Sequence, residues 1–259
     1  MGTSLPEAAV SLVAGLKGNA GITIGNVIGS NILNIMIVLG MSALITKIKI
    51  EKSTLLIEIP YMLLSSIVLL IFGRSQQVVS IQEGFILIFM FILYLLYLFW
   101  LSQKESEEEV SPQYSFLGCV LLIVLGIFFV IIGSQLAVKA AIQIAYKLHL
   151  SQRFIGLTIV AFGTSLPELV TSLQAARKDH AGIAIGNIVG SNIFNILFIA
   201  GGVSLICPVP FESKFIVDTF VAIGSGCLLW LLTIHRHELN RIGGILMLFV
   251  YVMYFIYLC

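Results

Sequence analysis

Apolar residues run in blocks of about 20 along nearly the whole chain, enough for a helix to cross a bilayer, and no alternating period-two pattern suggests a barrel. The blocks predict helices near 2–16, 22–46, 54–73, 82–102, 115–147, 153–177, 182–207, 214–234 and 241–259, eight intact spans and one clipped at its start. The strongly hydrophilic connection is Gln103 to Gln113, with Lys104, Glu105, Glu107, Glu108, Glu109 and Pro112. It reads as a solvated linker. The expected organisation is a first membrane repeat (1–102), an acidic linker (103–114) and a second membrane repeat (115–259).

Within the apolar blocks, polar residues concentrate in a stretch that occurs twice. Gly2-Thr3-Ser4-Leu5-Pro6-Glu7 is followed by Gly25-Asn26-Val27-Ile28-Gly29-Ser30-Asn31-Ile32-Leu33-Asn34. Gly163-Thr164-Ser165-Leu166-Pro167-Glu168 is followed by Gly186-Asn187-Ile188-Val189-Gly190-Ser191-Asn192-Ile193-Phe194-Asn195, 161 positions on and without a gap. Roughly two-thirds identity over about 34 residues marks an internal repeat. Five crossings separate Glu7 from Glu168, an odd number, so the copies enter the membrane from opposite sides. Inverted repeats of this kind are a signature of secondary transporters, with the site near the midplane.

The second copy is preceded by a complete helix, about Phe116 to Tyr146, and an entry from Arg153 to Phe162, whereas the first opens directly after Met1. No signal-peptide pattern leads the chain. By the repeat argument Met1 is expected to be a truncated start, with roughly 45 residues of the first repeat missing.

Composition agrees with a membrane protein: 59% of residues are hydrophobic and 10% charged, against about 25% charged in soluble domains. Loops bearing Lys47, Lys49, Lys52, Lys104, Arg177, Lys178, Arg236 and Arg241 alternate with loops bearing Lys17, Arg74, Lys147, Arg153 and Lys214. The richer set is expected in the cytoplasm, which puts Cys259 outside. No basic patch points to nucleic acid as a partner. Cys119, Cys207, Cys227 and Cys259 show no CxxC spacing and read as small buried hydrophobes.

Glu7 and Glu168 are carboxylates inside spans, each costing about 2.5–3.5 kcal/mol on insertion scales, and such residues usually mark ion pathways. Each follows a Pro, which disrupts the preceding turn, so Gly-Thr-Ser can unwind and offer carbonyls and hydroxyls. Asn26, Ser30 and Asn34 recur at four-residue intervals and share one helix face, as do Asn187, Ser191 and Asn195; the neighbouring Gly25, Gly29, Gly186 and Gly190 let another backbone approach. The combined donor set is all oxygen, the kind a hard cation such as Ca²⁺ takes, with no His or Cys to suit zinc or copper. Two negative charges balance one Ca²⁺ or two Na⁺, and competition for one cage, with the protein rocking between its faces, is a basis for exchange. A passive cation channel fits the same oxygen-lined path, and so does a proton-coupled Ca²⁺ antiporter. An intramembrane enzyme would need a general base beside Thr3/Ser4 or Thr164/Ser165, and no His, Lys or Asp stands there. Lys139 and Gln143 read as an interfacial or gating face, Glu58 and Glu83 as interfacial, and His235 and His237 as loop residues.

The paired motifs resemble the two alpha repeats of the sodium/calcium exchanger family of the calcium/cation antiporter superfamily, especially its bacterial members. That resemblance implies an all-α integral membrane protein with the inverted-repeat antiporter fold, five plus five helices, here lacking the first helix and part of the second. It implies alternating access, Ca²⁺ and Na⁺ as transported ions, no cofactor, and a multi-pass place in a bacterial or archaeal plasma membrane among lipid. Carried over by position, Glu7, Ser30 and Glu168 resemble central calcium ligands. Thr3, Ser4, Thr164, Ser165, Ser191 and the Ala161 carbonyl resemble sodium-coordinating groups, with the Thr3 and Thr164 carbonyls also facing calcium, and Asn34 matches an asparagine of the central site. Asn195 stands where well-characterised members carry Asp.

Overall fold

The computed structural model describes residues 2–16, 20–103, 115–147, 154–178 and 181–258. The expected acidic linker, apart from Gln103, lies outside them. After a tight turn at Gly2–Ser4, the helices are α1 (Leu5–Leu16), α2 (Gly21–Ile45), α3 (Thr54–Gln76), α4 (Ile81–Ser102), α5 (Phe116–Lys147), α6 (Ile155–Thr164), α7 (Leu166–Arg177), α8 (Gly182–Ile206), α9 (Lys214–Thr233) and α10 (Arg241–Leu258). Among the described residues six of these are long and apolar enough to cross a membrane, and the α6–α7 pair, bent by 49° at its break, makes a seventh when the two are taken as one span. At about 1.5 Å per residue the 32-residue α5 is also long enough to cross.

Burial sorts the helices into layers in the same way in both halves. The apolar windows of α2 and α8 are each 78% buried, those of α3 and α9 each 39%, and those of α4 and α10 each 22%. The polar motif helices therefore form the centre and the outermost helices face lipid, the reverse of what hydropathy alone would put inside a soluble protein. α6 lies directly on α2, where Gly25 meets Gly156 backbone to backbone and a Cβ at Gly29 would fall 2.8 Å from the Leu157 Cα. No side chain fits there, so the small residues of the motif set this contact.

Two short antiparallel sheets tie the halves together. β1 (Ile48–Lys49) pairs with β4 (Glu238–Leu239), and β2 (Val78–Val79) pairs with β3 (Val209–Pro210). Each joins the end of one half's helix to a loop of the other, extended by Ile50 N–H on His237 O and Phe211 N–H on Gln77 O. Gln77 and His237, at φ 55° and 52°, make the same left-handed turn in each half.

The break between α6 and α7 is narrower than the Gly-Thr-Ser-Pro sequence suggests. Gly163 and Thr164 stay helical, and the chain leaves the helix at Ser165, just before the proline-led turn of α7. Glu83 caps α4 together with Ser80, as expected of a residue opening a span. Glu58, read from the sequence as interfacial, is buried and accepts a hydrogen bond from Thr54 at 3.2 Å. Asp218 occupies the related place on α9, fully buried, and accepts from the Tyr254 hydroxyl at 3.0 Å.

A hydrogen bond to a buried carboxylate contributes about 1.5–3 kcal/mol, so Tyr254→Phe should lower the thermal unfolding temperature clearly in detergent. Tyr97, whose buried hydroxyl finds no partner, provides the contrast: Tyr97→Phe should leave the unfolding temperature unchanged or raise it.

Candidate functional site

The helix-opening turns of α1 and α7 face each other across a pseudo-twofold axis. The Ser4 hydroxyl donates to Glu168 Oε1 at 2.9 Å, and the Ser165 hydroxyl donates to Glu7 Oε1 at 3.0 Å. Proline places each Glu in the first turn, and the Ser two residues before that Pro is thereby presented to the opposite carboxylate. Both glutamates are fully buried. Among the described residues no Lys or Arg pairs with either, since the one ion pair is Lys47–Glu238 at the surface.

A second reciprocal layer lies between α2 and α8. Asn31 Nδ2 donates to the Asn192 carbonyl at 3.2 Å, and Asn192 Nδ2 donates to the Asn31 carbonyl at 3.1 Å. Each of their side-chain oxygens accepts another amide: Asn34 Nδ2 on Asn192 Oδ1 and Asn195 Nδ2 on Asn31 Oδ1, both at 3.1 Å. Asn34 and Asn195 open wide π-helical turns, Asn34–Leu39 and Asn195–Ala200, a local widening frequent at functional sites. α1 packs on the second π-turn and α7 on the first, which brings the asparagines to the glutamate-bearing helices.

Of the seven side-chain oxygens that remain buried with no partner among the described residues, five belong to the two motifs: Glu7 Oε2, Glu168 Oε2, Asn34 Oδ1, Asn195 Oδ1 and Ser191 Oγ. Buried acceptors left unpaired are rare and call for an explanation. Four of the five form two pseudo-symmetric pairs, one from each motif, which is a donor set suited to a hard cation.

The remaining sequence candidates fall around this centre. Ser30 is fully buried and donates to Asn26 Oδ1 at 3.4 Å, and the Thr164 hydroxyl reaches the same oxygen at 3.1 Å. Thr3 is half-buried and donates to Asn187 Oδ1. The Ala161 carbonyl accepts the Ser165 N–H at 3.0 Å, and the Thr164 hydroxyl, whose one proton goes to Asn26 at the shorter distance, lies 3.3 Å from it. Lys139 and Gln143, on α5, are exposed.

Two groups escaped the sequence reading. Asn31 and Asn192 sit one residue off the polar stripe yet link the halves; their exact recurrence in both motif copies was the available signal. Ser11 and Ser172 stand at related positions as well. Asn26 Nδ2 donates to Ser11 Oγ at 3.0 Å and to the Glu7 carbonyl at 3.3 Å, closing one side under α6. The corresponding Thr3, Ser172 and Asn187 instead line a cleft of about 180 Å³.

Paired halves, crossed strands and a shared buried polar centre define an inverted-repeat membrane transporter. The family model for "Sodium/calcium exchanger protein" matches residues 1–100 and 119–259, and the chain belongs to that family. It is 36% identical to an uncharacterized membrane protein, MJ0091, of Methanocaldococcus jannaschii, over 97% of this chain and 82% of that one. It is 29% identical to the sodium/calcium exchanger MaX1 of Methanosarcina acetivorans, over 100% of this chain and 86% of the relative. Structures of the sodium-calcium exchanger NCX_Mj soaked with Na⁺ and Sr²⁺ superpose with a TM-score of 0.79 at 37% identity, covering 98% of this chain and 82% of that one.

Asn192→Ala removes two donated or accepted side-chain bonds and leaves Asn34 without an acceptor, each unpaired buried group costing about 1–3 kcal/mol. The variant should unfold at markedly lower temperature than Ser172→Ala, whose hydroxyl is buried without a partner. Equal unfolding temperatures would contradict the asparagine layer.

Proposed function

We propose that this protein exchanges Ca²⁺ for Na⁺ across a prokaryotic plasma membrane by alternating access, holding the ions between the two glutamates and the asparagine and serine oxygens beside them. The observation that carries the reading is the set of five unpartnered buried motif oxygens, two of them on carboxylates that pair with no Lys or Arg among the described residues. In an apolar surrounding, unpaired acceptors and uncompensated negative charge are both costly, and a bound cation answers both at once.

Each residue has a role in that reading. Glu7 and Glu168 supply the charge, which one Ca²⁺ or two Na⁺ balance, so the ions compete for one cage. Ser4 and Ser165 hold one oxygen of each carboxylate and aim the other. Asn34 and Asn195 contribute amide oxygens whose orientation is fixed because their NH₂ groups are engaged across the halves. Ser191 and Ser30 complete the oxygen set, while Thr3 and Thr164 orient Asn187 and Asn26. The Ala161 carbonyl, which accepts the Ser165 N–H with one lone pair, offers the other to Na⁺.

In proteoliposomes, Ca²⁺ uptake should depend on an opposing Na⁺ gradient. Glu7→Gln or Glu168→Gln should reduce it to background while membrane insertion stays intact. Uptake without an opposing gradient would indicate a channel, and wild-type flux in either variant would remove the glutamates from the site.

Asn195 keeps the cage at two negative charges. Asn195→Asp adds a titratable group and takes away the donor to Asn31, so the pH profile of Ca²⁺ uptake should change. Superimposable profiles would place residue 195 away from the ions.

A further inference from the structure

The inverted repeat supplies an internal control for every surface feature, because each corner of one half has a counterpart on the opposite face. One corner departs sharply from its counterpart. Where the end of α2 meets the start of α10, a groove of about 490 Å³ is lined by Lys47, Arg236, Arg241, Glu238, Asn240 and Ile242. Lys47 pairs with Glu238 at 3.2 Å, which leaves two exposed arginines unneutralised among the described residues. On the opposite face the same positions are Pro208, Gln76, Ile81, Val78 and Ser80. The fold thus builds the counterpart of this corner with no cation at any of these positions, Glu83 being the charge beside them as the cap of α4, and the three cations are not required to hold it together.

The groove continues into an apolar seam. Gly40 and Gly244 bring α2 and α10 into close contact, and Met41 and Leu44 on one helix and Ile242, Ile245 and Phe249 on the other stay exposed beside it. Positive charge at the rim, planar guanidinium groups and an apolar track running from them into the membrane form the complement of a phospholipid with an anionic headgroup. The loops concerned belong to the Lys- and Arg-rich set, whose expected side is the cytoplasmic leaflet.

We propose that Arg236 and Arg241, with Lys47, bind the phosphate of an anionic phospholipid whose acyl chains lie along the α2–α10 seam. The site lies apart from the ion cage and does not depend on which ions are exchanged. The two arginines clamp the phosphate, Lys47 shifts between Glu238 and the headgroup, and Ile242 receives the start of an acyl chain.

Native mass spectrometry of the full chain, after exchange into mixed micelles of phosphatidylglycerol and phosphatidylcholine in equal parts, tests this directly. Wild type should retain phosphatidylglycerol in preference to phosphatidylcholine. Arg236→Gln/Arg241→Gln, which moves the corner toward its uncharged counterpart, should retain it less by about fivefold for each cation removed. Arg74→Gln, a cation change on the opposite face, should retain it as wild type does. No preference in wild type, undiminished retention in the double variant, or an equal loss in Arg74→Gln overturns the proposal. So does displacement of the lipid by glycerol phosphate at matched concentration, since the groove would then take a soluble phosphate and the seam would have no part.

Discussion

Two carboxylates lie buried between membrane helices with no basic side chain paired to them among the described residues, and most of the structure can be understood as the means of keeping them there. Water is excluded by the layering that puts α2 and α8 in the centre. A buried charge without a partner is among the most costly features a protein can carry. The Ser4 and Ser165 hydroxyls meet one oxygen of each glutamate and leave the other unpaired. Full satisfaction by protein donors would make the pair a structural feature, and partial satisfaction keeps it available to a mobile cation.

The same bonds restrict how access to that cation can alternate. Rocking between the two faces has to respect what joins the halves, which share two Ser–Glu bonds, four asparagine bonds and two strand pairings. Parting them as rigid bodies breaks these together and exposes the lost partners to an apolar surrounding. α6 shares a single further bond with the other half among the described residues, from the Thr164 hydroxyl to Asn26 Oδ1 at 3.1 Å. α6 meets α2 through a glycine contact, a smooth backbone surface with few side chains to disengage. The physical cost of movement is therefore lower at the α6–α2 boundary, where a glycine contact and the Thr164–Asn26 bond would part, than at the Ser–Glu and asparagine bonds.

Much of this was legible in the chain because the signals were local. A proline before a glutamate, a four-residue polar stripe and a repeat at fixed spacing all survive without knowledge of contacts, and they located Glu7, Glu168, Asn34 and Asn195. Features that depend on what lies across the axis were not legible. Asn31 and Asn192 looked like off-stripe polar residues, since their role exists only in the pairing of α2 with α8. The π-turns at Asn34 and Asn195 have no composition signal distinct from an α-helix. Asp218 was missed because the repeat slips by one residue after Glu212, which hides its correspondence with Glu58. The Ala161 carbonyl came from the family resemblance alone, and nothing in the local sequence shows that the Ser165 N–H bonds to it.

Symmetry itself is unevenly kept, and the pattern follows the environment each part meets. At the centre both halves face the same cargo and the same lack of water, so the motif is repeated almost residue for residue and its bonds recur in pairs within a few tenths of an ångström. At the membrane surfaces the two halves meet different leaflets. There Arg236 and Arg241 stand against Gln76 and Ile81, although the β-pairing and the left-handed turns beneath them are still shared. An inverted duplication forces one sequence to serve on both sides of a membrane. Charge at the ends of the helices is where the two sides differ most, so that is where the copies have diverged while the fold and the buried centre have not.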